Sequence, residues 1–150
     1  NFRLCIIGRG YNFQNLKNQI KKLNLKRHVK LTGYKNNAQS YLKYSDLFVL
    51  SSKYEGLPNV LLEAQQVGTP IISSNSSALP EIVQDFGQLY EPGNSDALKE
   101  CIENFYLNRP SFDNLAQEGS LYANETFNWE KIALDYEEQF LETIEKFNSC

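Results

Sequence analysis

Residues 46–74, DLFVLSSKYEGLPNVLLEAQQVGTPIISS, predict a strand, a helix and a second strand in immediate succession. Residues 46–52 form a continuous apolar run of the kind found in strands that are covered on both faces. After a turn, Pro58 suits the first position of a helix, because proline lacks the N–H that this position leaves unpaired. Residues 69–74 predict the next strand. Neighbouring strands joined by a helix run parallel, so this stretch indicates a parallel sheet.

The same alternation extends in both directions along the chain. Further strands are predicted at residues 2–8, 28–33 and 87–92, and further helices at residues 13–25, 37–45 and 78–83. Strand–helix alternation of this kind is typical of an α/β fold with helices on both faces of the sheet. We therefore expect one domain over residues 1–150, built on a Rossmann-like parallel sheet of about five strands.

The C-terminal part, residues 94–150, is predicted to be helical. Three helices are expected at residues 95–107, 111–124 and 128–147. Ser95 and Asn128 have the residue types that cap helix N-termini. Trp129 and Tyr136 lie at helical spacing in the last helix, and we predict that both belong to the core.

The composition excludes several classes of protein. With 41% hydrophobic and 22% charged residues the chain is typical of a soluble globular protein, and its net charge of −3 provides no general attraction to nucleic acid or anionic membranes. The cysteines, Cys5, Cys101 and Cys150, have no paired spacing, which indicates reduced thiols in a cytoplasmic protein. The chain has no methionine and opens on a strand pattern, so we expect it to be part of a longer protein.

Ligands of parallel α/β sheets bind beyond the carboxyl ends of the strands, so the loops at those ends are candidate sites. GRGYN, residues 8–12, places Gly8 where backbone can approach a ligand closely, but the third glycine of a dinucleotide fingerprint is absent. LTGYKNN, residues 31–37, places Gly33 and Tyr34 at another strand end. Taken alone, both loops are also compatible with plain turns.

Residues 51–68 contain a predicted anion site. The turn and the first helical residues leave backbone amides without intrahelical partners. A helix N-terminus at the end of a parallel strand favours phosphate through these amides and the positive end of the helix dipole. The amides concerned are those of Gly56, Leu57, Asn59 and Val60.

Two carboxylates flank these amides. Glu63 lies in an otherwise apolar helix, about 6 Å along the axis from Asn59, where a carboxylate is costly unless its oxygens accept hydrogen bonds. A ribose joined to a diphosphate would supply hydroxyl donors at that distance, and Glu55 would then lie on the far side of the phosphate, near the attached sugar. The residues alone leave open that Glu63 caps a neighbouring loop and that Glu55 is a solvated surface residue.

Residues 51–83 resemble the donor-binding segment of the family 4 retaining glycosyltransferases, which have the GT-B fold. The family pattern E-G-x-P-x-x-x-x-E-A, followed by G-x-P and a late E-I, is present as Glu55, Gly56, Pro58, Glu63, Ala64, Gly68, Pro70, Glu81 and Ile82. CIIGRG, VKLTGY and FNWEKIALDYEEQF are similar to other segments of the family, so the resemblance covers nearly the whole chain. It implies the C-terminal, donor-binding half of a GT-B enzyme.

The resemblance also implies roles for individual residues. Glu63 would bind the ribose hydroxyls, and Glu55 would contact the donor sugar near the reacting carbon, as a catalytic residue acting through charge or positioning. The turn at Gly33 and Tyr34 would lie against the base. The full set of implied nucleotide-sugar contacts is Gly8, Gly33, Tyr34, Gly56, Leu57, Pro58, Asn59, Val60 and Glu63.

The implied activity is a retaining hexosyltransferase that uses a UDP- or GDP-sugar without a bound metal, in keeping with the absence of a DxD sequence. The implied acceptor is a glycan or a lipid-linked molecule in polysaccharide or lipopolysaccharide biosynthesis, in the cytoplasm or at the cytoplasmic face of the inner membrane. The family's basic Arg–Lys pair and its acceptor domain would lie upstream of this chain, so we expect the 150 residues alone to be inactive. A GT-B sugar-nucleotide epimerase and a non-catalytic nucleotide-binding scaffold are the alternatives.

Overall fold

The computed structural model describes residues 2–148, and their helices and strands follow the predicted order. The strands are β1 (Leu4–Ile7), β2 (Val29–Gly33), β3 (Phe48–Leu50), β4 (Ile71–Ser74) and β5 (Gln88–Tyr90). The helices are α1 (Phe13–Lys22), α2 (Ala38–Lys43), α3 (Asn59–Gln66), α4 (Leu79–Val83), α5 (Ser95–Leu107), α6 (Arg109–Thr126) and α7 (Trp129–Asn148). The α/β class and the helical C-terminal part are thus confirmed.

All strand pairs among the described residues are parallel, as predicted, but they form two sheets. β1 pairs with β2, while β3, β4 and β5 form a three-stranded sheet with β4 in the centre. The chain also divides into two compact units between Tyr41 and Leu42. An apolar run indicates that a strand is buried, not which strand lies beside it, and so the sequence pattern could not predict this pairing.

The second unit has a core on both faces of its sheet, which follows from the alternating side chains of β4. Ile71 points to one face, where it packs with Leu61 of α3 and Leu79 of α4. Ile72 points to the other, where it packs with Phe105 of α5 and other apolar side chains. All of β4 is buried, as expected for a central strand between two helical layers.

The caps of the C-terminal helices agree with one prediction and correct the other. The Asn128 side chain accepts hydrogen bonds from the amides at the start of α7, as predicted. The cap of α5, however, is Asn94 and not Ser95: its Oδ1 accepts from the amides of Asp96 and Ala97 at 3.1 and 3.0 Å. Asn94 has the extended backbone that an N-cap requires (φ −88°, ψ 97°), whereas Ser95 is already helical.

The core prediction for the last helix is wrong. Trp129 is 82% exposed and Tyr136 is 59% exposed. Every residue of α7 is exposed apart from Ile132, which is half-buried. The apolar spacing therefore did predict a stripe along the helix, but no other described element covers that stripe. None of the helices within residues 2–148 combines the length and apolar character needed to cross a membrane.

Candidate functional site

The loop of residues 51–58 connects the carboxyl end of β3 to the start of α3. Pro58 is the N-cap of this helix, with φ −74° and an extended ψ of 98°, and Asn59 is the first helical residue. The predicted start at Pro58 is thus corrected by one position. The proline ring fixes φ near the helical value but leaves ψ free, so proline fits the cap position as well. Pro58 is buried, whereas Asn59 is exposed.

The two ends of α3 differ in their hydrogen bonding. At the C-terminal end, the Gln66 carbonyl accepts from Ser120 Oγ at 2.7 Å and from Asn124 Nδ2 at 3.1 Å, both in α6. At the N-terminal end none of the described side chains caps the helix. The first amide with a backbone partner is that of Leu61, which donates to the Pro58 carbonyl at 2.9 Å. α6 therefore anchors α3 from behind and leaves its N-terminus open.

The amides predicted to bind an anion have no acceptor within residues 2–148. They belong to Gly56, Leu57, Asn59 and Val60. Of these residues only Val60 is half-buried, and the other three are exposed. Unpaired amides at a helix N-terminus favour an anion because the N–H groups and the helix dipole act together. These amides of the second unit are thus available to an acceptor from outside, and the anion site stays a prediction.

Glu55 is held by one hydrogen bond. Ser52 Oγ donates to Glu55 Oε1 at 2.7 Å, and both side chains are half-buried. The Ser52 carbonyl in turn accepts hydrogen bonds from Ser74 Oγ and Ser76 Oγ, at 2.5 and 3.0 Å. The sequence left open that Glu55 is a solvated surface residue. In the structure its side chain is half-buried and hydrogen-bonded, and so it is not fully solvated.

Glu63 is half-buried in the second turn of α3, next to the buried Ala64. Its carboxylate has no hydrogen-bond or ion-pair partner anywhere in the described part of the chain. It therefore caps no neighbouring loop, which was the alternative that the sequence left open. A half-buried carboxylate without a protein partner is unfavourable in the free protein, and it is available to a donor from outside.

Gly8, Gly33 and Tyr34 lie together in the first unit, at the carboxyl ends of β1 and β2. The Gly8 amide donates to the Gly33 carbonyl at 2.9 Å. Both glycines have positive φ, +122° and +70°, and a Cβ built on either would have no atom within 4 Å. Tyr34 is 76% exposed beyond them. The backbone here is open to approach, as the sequence suggested. The structure thus groups the predicted residues in two sets, one in each unit.

The sequence reasoning missed the serine cluster of Ser52, Ser74 and Ser76. A signal was present, because the apolar runs of β3 and β4 both end in a serine pair, VLSS and IISS. The carboxyl ends of adjacent parallel strands meet at one edge of the sheet, so these serines lie within reach of each other. Tyr90, at the end of β5, lies beside this cluster. Burial raises the pKa of its phenol, and a hydrogen bond with the Ser51 side chain partly opposes this rise in pKa.

The sequence model of the family described as Glycosyl transferases group 1 matches residues 1–121. The chain belongs to this family. Among the relatives of this chain, N-acetyl-alpha-D-glucosaminyl L-malate synthase of Bacillus anthracis is 28% identical over 144 residues, which are 95% of this chain and 38% of that enzyme. UDP-Gal:alpha-D-GlcNAc-diphosphoundecaprenol alpha-1,3-galactosyltransferase of Escherichia coli is 45% identical over 71 residues, 47% of this chain and 18% of that enzyme.

Solved structures show the same fold. HepE of Anabaena, crystallised in complex with UDP-glucose, matches this chain with a TM-score of 0.81 and 22% identity, over 96% of this chain and 41% of HepE. The fold that this chain shares with HepE is that of the GT-B glycosyltransferases, as the family resemblance implied. The chain spans less than half the length of each of these relatives.

Proposed function

We propose that the full-length protein is a retaining hexosyltransferase, and that the residues described above are its C-terminal half, which binds the nucleotide-sugar donor. The observation that carries the proposal is Glu63, a half-buried carboxylate with no hydrogen-bond partner within residues 2–148, one helix turn from the start of α3, where four amides also have none. A nucleoside diphosphate would satisfy both at once, because its phosphates accept hydrogen bonds and its ribose hydroxyls donate them.

The amides at the start of α3 would act on the departing group. In glycosyl transfer the bond between the anomeric carbon and the diphosphate oxygen breaks, and the electron pair leaves with the nucleoside diphosphate. The acceptor hydroxyl then bonds the anomeric carbon, and its proton passes to the departing diphosphate oxygen. Amides that already point at the phosphates stabilise the negative charge that develops there, and they need no rearrangement to do so. We assign this role to the amides of Leu57, Asn59 and Val60, with Gly56 and Pro58 shaping the turn.

Glu55 would act on the sugar side. The anomeric carbon carries positive charge in such transition states, and a carboxylate fixed near that carbon stabilises the charge or holds the sugar in place. For Gly8, Gly33 and Tyr34 we propose contacts to the nucleotide, with the Gly33–Tyr34 turn against the base; their open backbone supports this assignment.

The activity of one relative and the ligand of another support the finer parts of the proposal. The Escherichia coli relative takes UDP-Gal as donor and a lipid diphosphate-linked sugar as acceptor, and HepE binds UDP-glucose. We propose a UDP- or GDP-sugar as donor, no bound metal, and a glycan or lipid-linked acceptor in polysaccharide or lipopolysaccharide biosynthesis. The acceptor would bind outside the residues described here, in a cytoplasmic enzyme that contacts the membrane surface through that other part.

Titration calorimetry of the full-length protein with UDP and GDP tests the proposal. Glu63→Gln keeps the shape of the side chain and removes its charge, so we expect the affinity for the preferred nucleotide to fall at least about tenfold, the value of one hydrogen bond to a charged acceptor. Glu118→Gln, an exposed position in α6, is the matched control and should bind as the wild type. Equal affinity of Glu63→Gln and wild type would overturn the proposal.

Product analysis separates the remaining activities. When the full-length protein consumes a nucleotide sugar, transfer to an acceptor with the anomeric configuration kept supports the proposal. Recovery of an epimerised nucleotide sugar would instead identify an epimerase. Nucleotide binding without any turnover would identify a scaffold. Glu55→Gln should lower the rate of transfer strongly but leave a measurable residual rate, while UDP still binds, because Glu55 is proposed to act on the sugar and not on the nucleotide.

A further inference from the structure

We propose that Ser52 is a positioning residue for Glu55, and that Ser74 and Ser76 hold Ser52 in place for this role. The inference rests on the proposed function of Glu55. The Ser52 hydroxyl donates to Glu55 Oε1 at 2.7 Å, a length typical of a strong hydrogen bond between a hydroxyl and a charged carboxylate. This bond is the one interaction that Glu55 makes within the described residues. It fixes Oε1 and leaves Oε2 free to face a sugar.

Ser52 is itself held from the neighbouring strand. Its carbonyl oxygen has two lone pairs, and it accepts two hydrogen bonds, from Ser74 Oγ in β4 and from Ser76 Oγ in the loop that follows. Ser74 is fully buried. The loop is fixed in turn, because the Asn75 amide donates to the Tyr90 carbonyl of β5 at 2.7 Å. Hydrogen bonds through Ser52 therefore connect β4 of the three-stranded sheet to the Glu55 carboxylate.

The sequence spacing suggests another role that the geometry excludes. Ser52 and Glu55 have the Ser-x-x-Glu pattern of a capping box, in which the two side chains bond the first amides of a helix. α3 begins only at Asn59, and its N-cap is Pro58. Ser52 and Glu55 are thus bonded to each other outside any helix, and helix capping does not account for the pair. The pair is accounted for if Ser52 orients the Glu55 carboxylate.

A crystal structure of full-length Ser52→Ala tests whether the hydroxyl holds Glu55. We expect the Glu55 carboxylate to leave its single orientation while the backbone of residues 51–58 keeps its course, because Ser74 and Ser76 bind the carbonyl that alanine retains. Ser52→Thr keeps the hydroxyl and should keep the carboxylate in place. If Glu55 occupies the same position in Ser52→Ala as in the wild type, the inference is overturned, whatever the activity of the enzyme.

Kinetics of UDP-glucose turnover by the full-length protein test the consequence. Ser52→Ala should lower kcat about tenfold, the effect of one hydrogen bond to a charged group, and change KM for UDP-glucose by less than about twofold. Ser52→Thr should recover most of the rate, and Ser111→Ala, an exposed serine of α6, should leave it unchanged. In a Glu55→Ala background, Ser52→Ala should cause no further loss, because Ser52 acts through Glu55.

The two hypotheses fail in different ways. An equal loss from Ser52→Ala in the wild-type and Glu55→Ala backgrounds would overturn the positioning role. Full turnover by Glu55→Ala would instead overturn the role proposed for Glu55, and the crystal structure of Ser52→Ala would still decide whether Ser52 holds the carboxylate.

Discussion

Replacing Gln65 by methionine should stabilise the folded chain. Gln65 lies in α3, two residues beyond Glu63, and only 2% of its surface is exposed. Neither its Nε2 nor its Oε1 has a hydrogen-bond partner among the described residues. The side chain packs where α3 meets α6, with its Cγ 3.3 Å from the point that a Cβ on Gly119 would occupy. Both polar atoms have thus left water without gaining a partner.

The expected magnitude follows from that burial. An unsatisfied buried polar group costs about 1–3 kcal/mol of stability. Methionine has a similar length and adapts to irregular surroundings, but its different shape costs up to about 1.5 kcal/mol even where volumes match. We therefore expect Gln65→Met to raise the free energy of unfolding by about 1 kcal/mol, which corresponds to about 2–4 °C in Tm for a chain of this size.

Urea unfolding measures this difference. The midpoint of Gln65→Met should rise while the slope of the transition stays that of the wild type. Gln117→Met, the same replacement at an exposed position of α6, controls for the change of residue type and should leave the midpoint unchanged. A lower midpoint for Gln65→Met together with an unchanged one for Gln117→Met would refute the reasoning, since it would show that the amide is satisfied in the folded chain.

Three further predictions concern stability. Gly119→Ala should destabilise by about 1–3 kcal/mol in urea unfolding, because its Cβ would lie 2.8 Å from Phe86 Cβ, and overpacking outweighs the gain in helix propensity. Asn94→Ala should cost about 1 kcal/mol and Ser95→Ala almost nothing, and a reversed order would contradict the corrected cap. Burial raises the pKa of Tyr90 above its ordinary 10.0, so the folded chain keeps that proton where the unfolded chain loses it, and stability falls as the pH rises past 10.0. Tyr90→Phe should lessen this fall in urea midpoints; an equally steep fall would count against it.

The predictable part of the fold is the part that local patterns specify. Residues 69–74 predicted a strand, and β4 lies there, buried along its whole length. Strand partners, in contrast, depend on contacts between distant segments, and the division into two sheets could not be predicted. The cap of α5 illustrates a finer limit: Asn94 and Ser95 are adjacent and both suitable, and only the backbone dihedrals select between them. For α7 the apolar stripe was predictable, but its exposure among the described residues was not.

The candidate site divides in the same way. The unpaired amides were predictable because every helix N-terminus leaves its first N–H groups without intrahelical partners. Glu63 could be selected as a candidate because a single carboxylate in an apolar helix is costly unless its oxygens accept hydrogen bonds. The serine pairs that end VLSS and IISS indicate serines at strand ends, but their bonds to Ser52 could not be predicted, because Ser74 and Ser76 lie 22 and 24 positions away from it in the sequence. A hydrogen bond over such a separation depends on the strand pairing, which the pattern does not contain.

The carboxylates of Glu55 and Glu63 differ in the hydrogen bonds that they accept, and this difference decides which ligand the site would select. Glu55 already has one oxygen held by Ser52, whereas Glu63 has none held by the described residues. The amides between them would accept any suitably sized anion, including inorganic pyrophosphate, since they offer only N–H donors. Only a ligand that carries hydroxyl donors beside its phosphates also satisfies Glu63. Under the proposed function, selection of a nucleoside diphosphate over pyrophosphate therefore depends on Glu63, and the unpaired carboxylate is a source of specificity as well as a cost to the free protein.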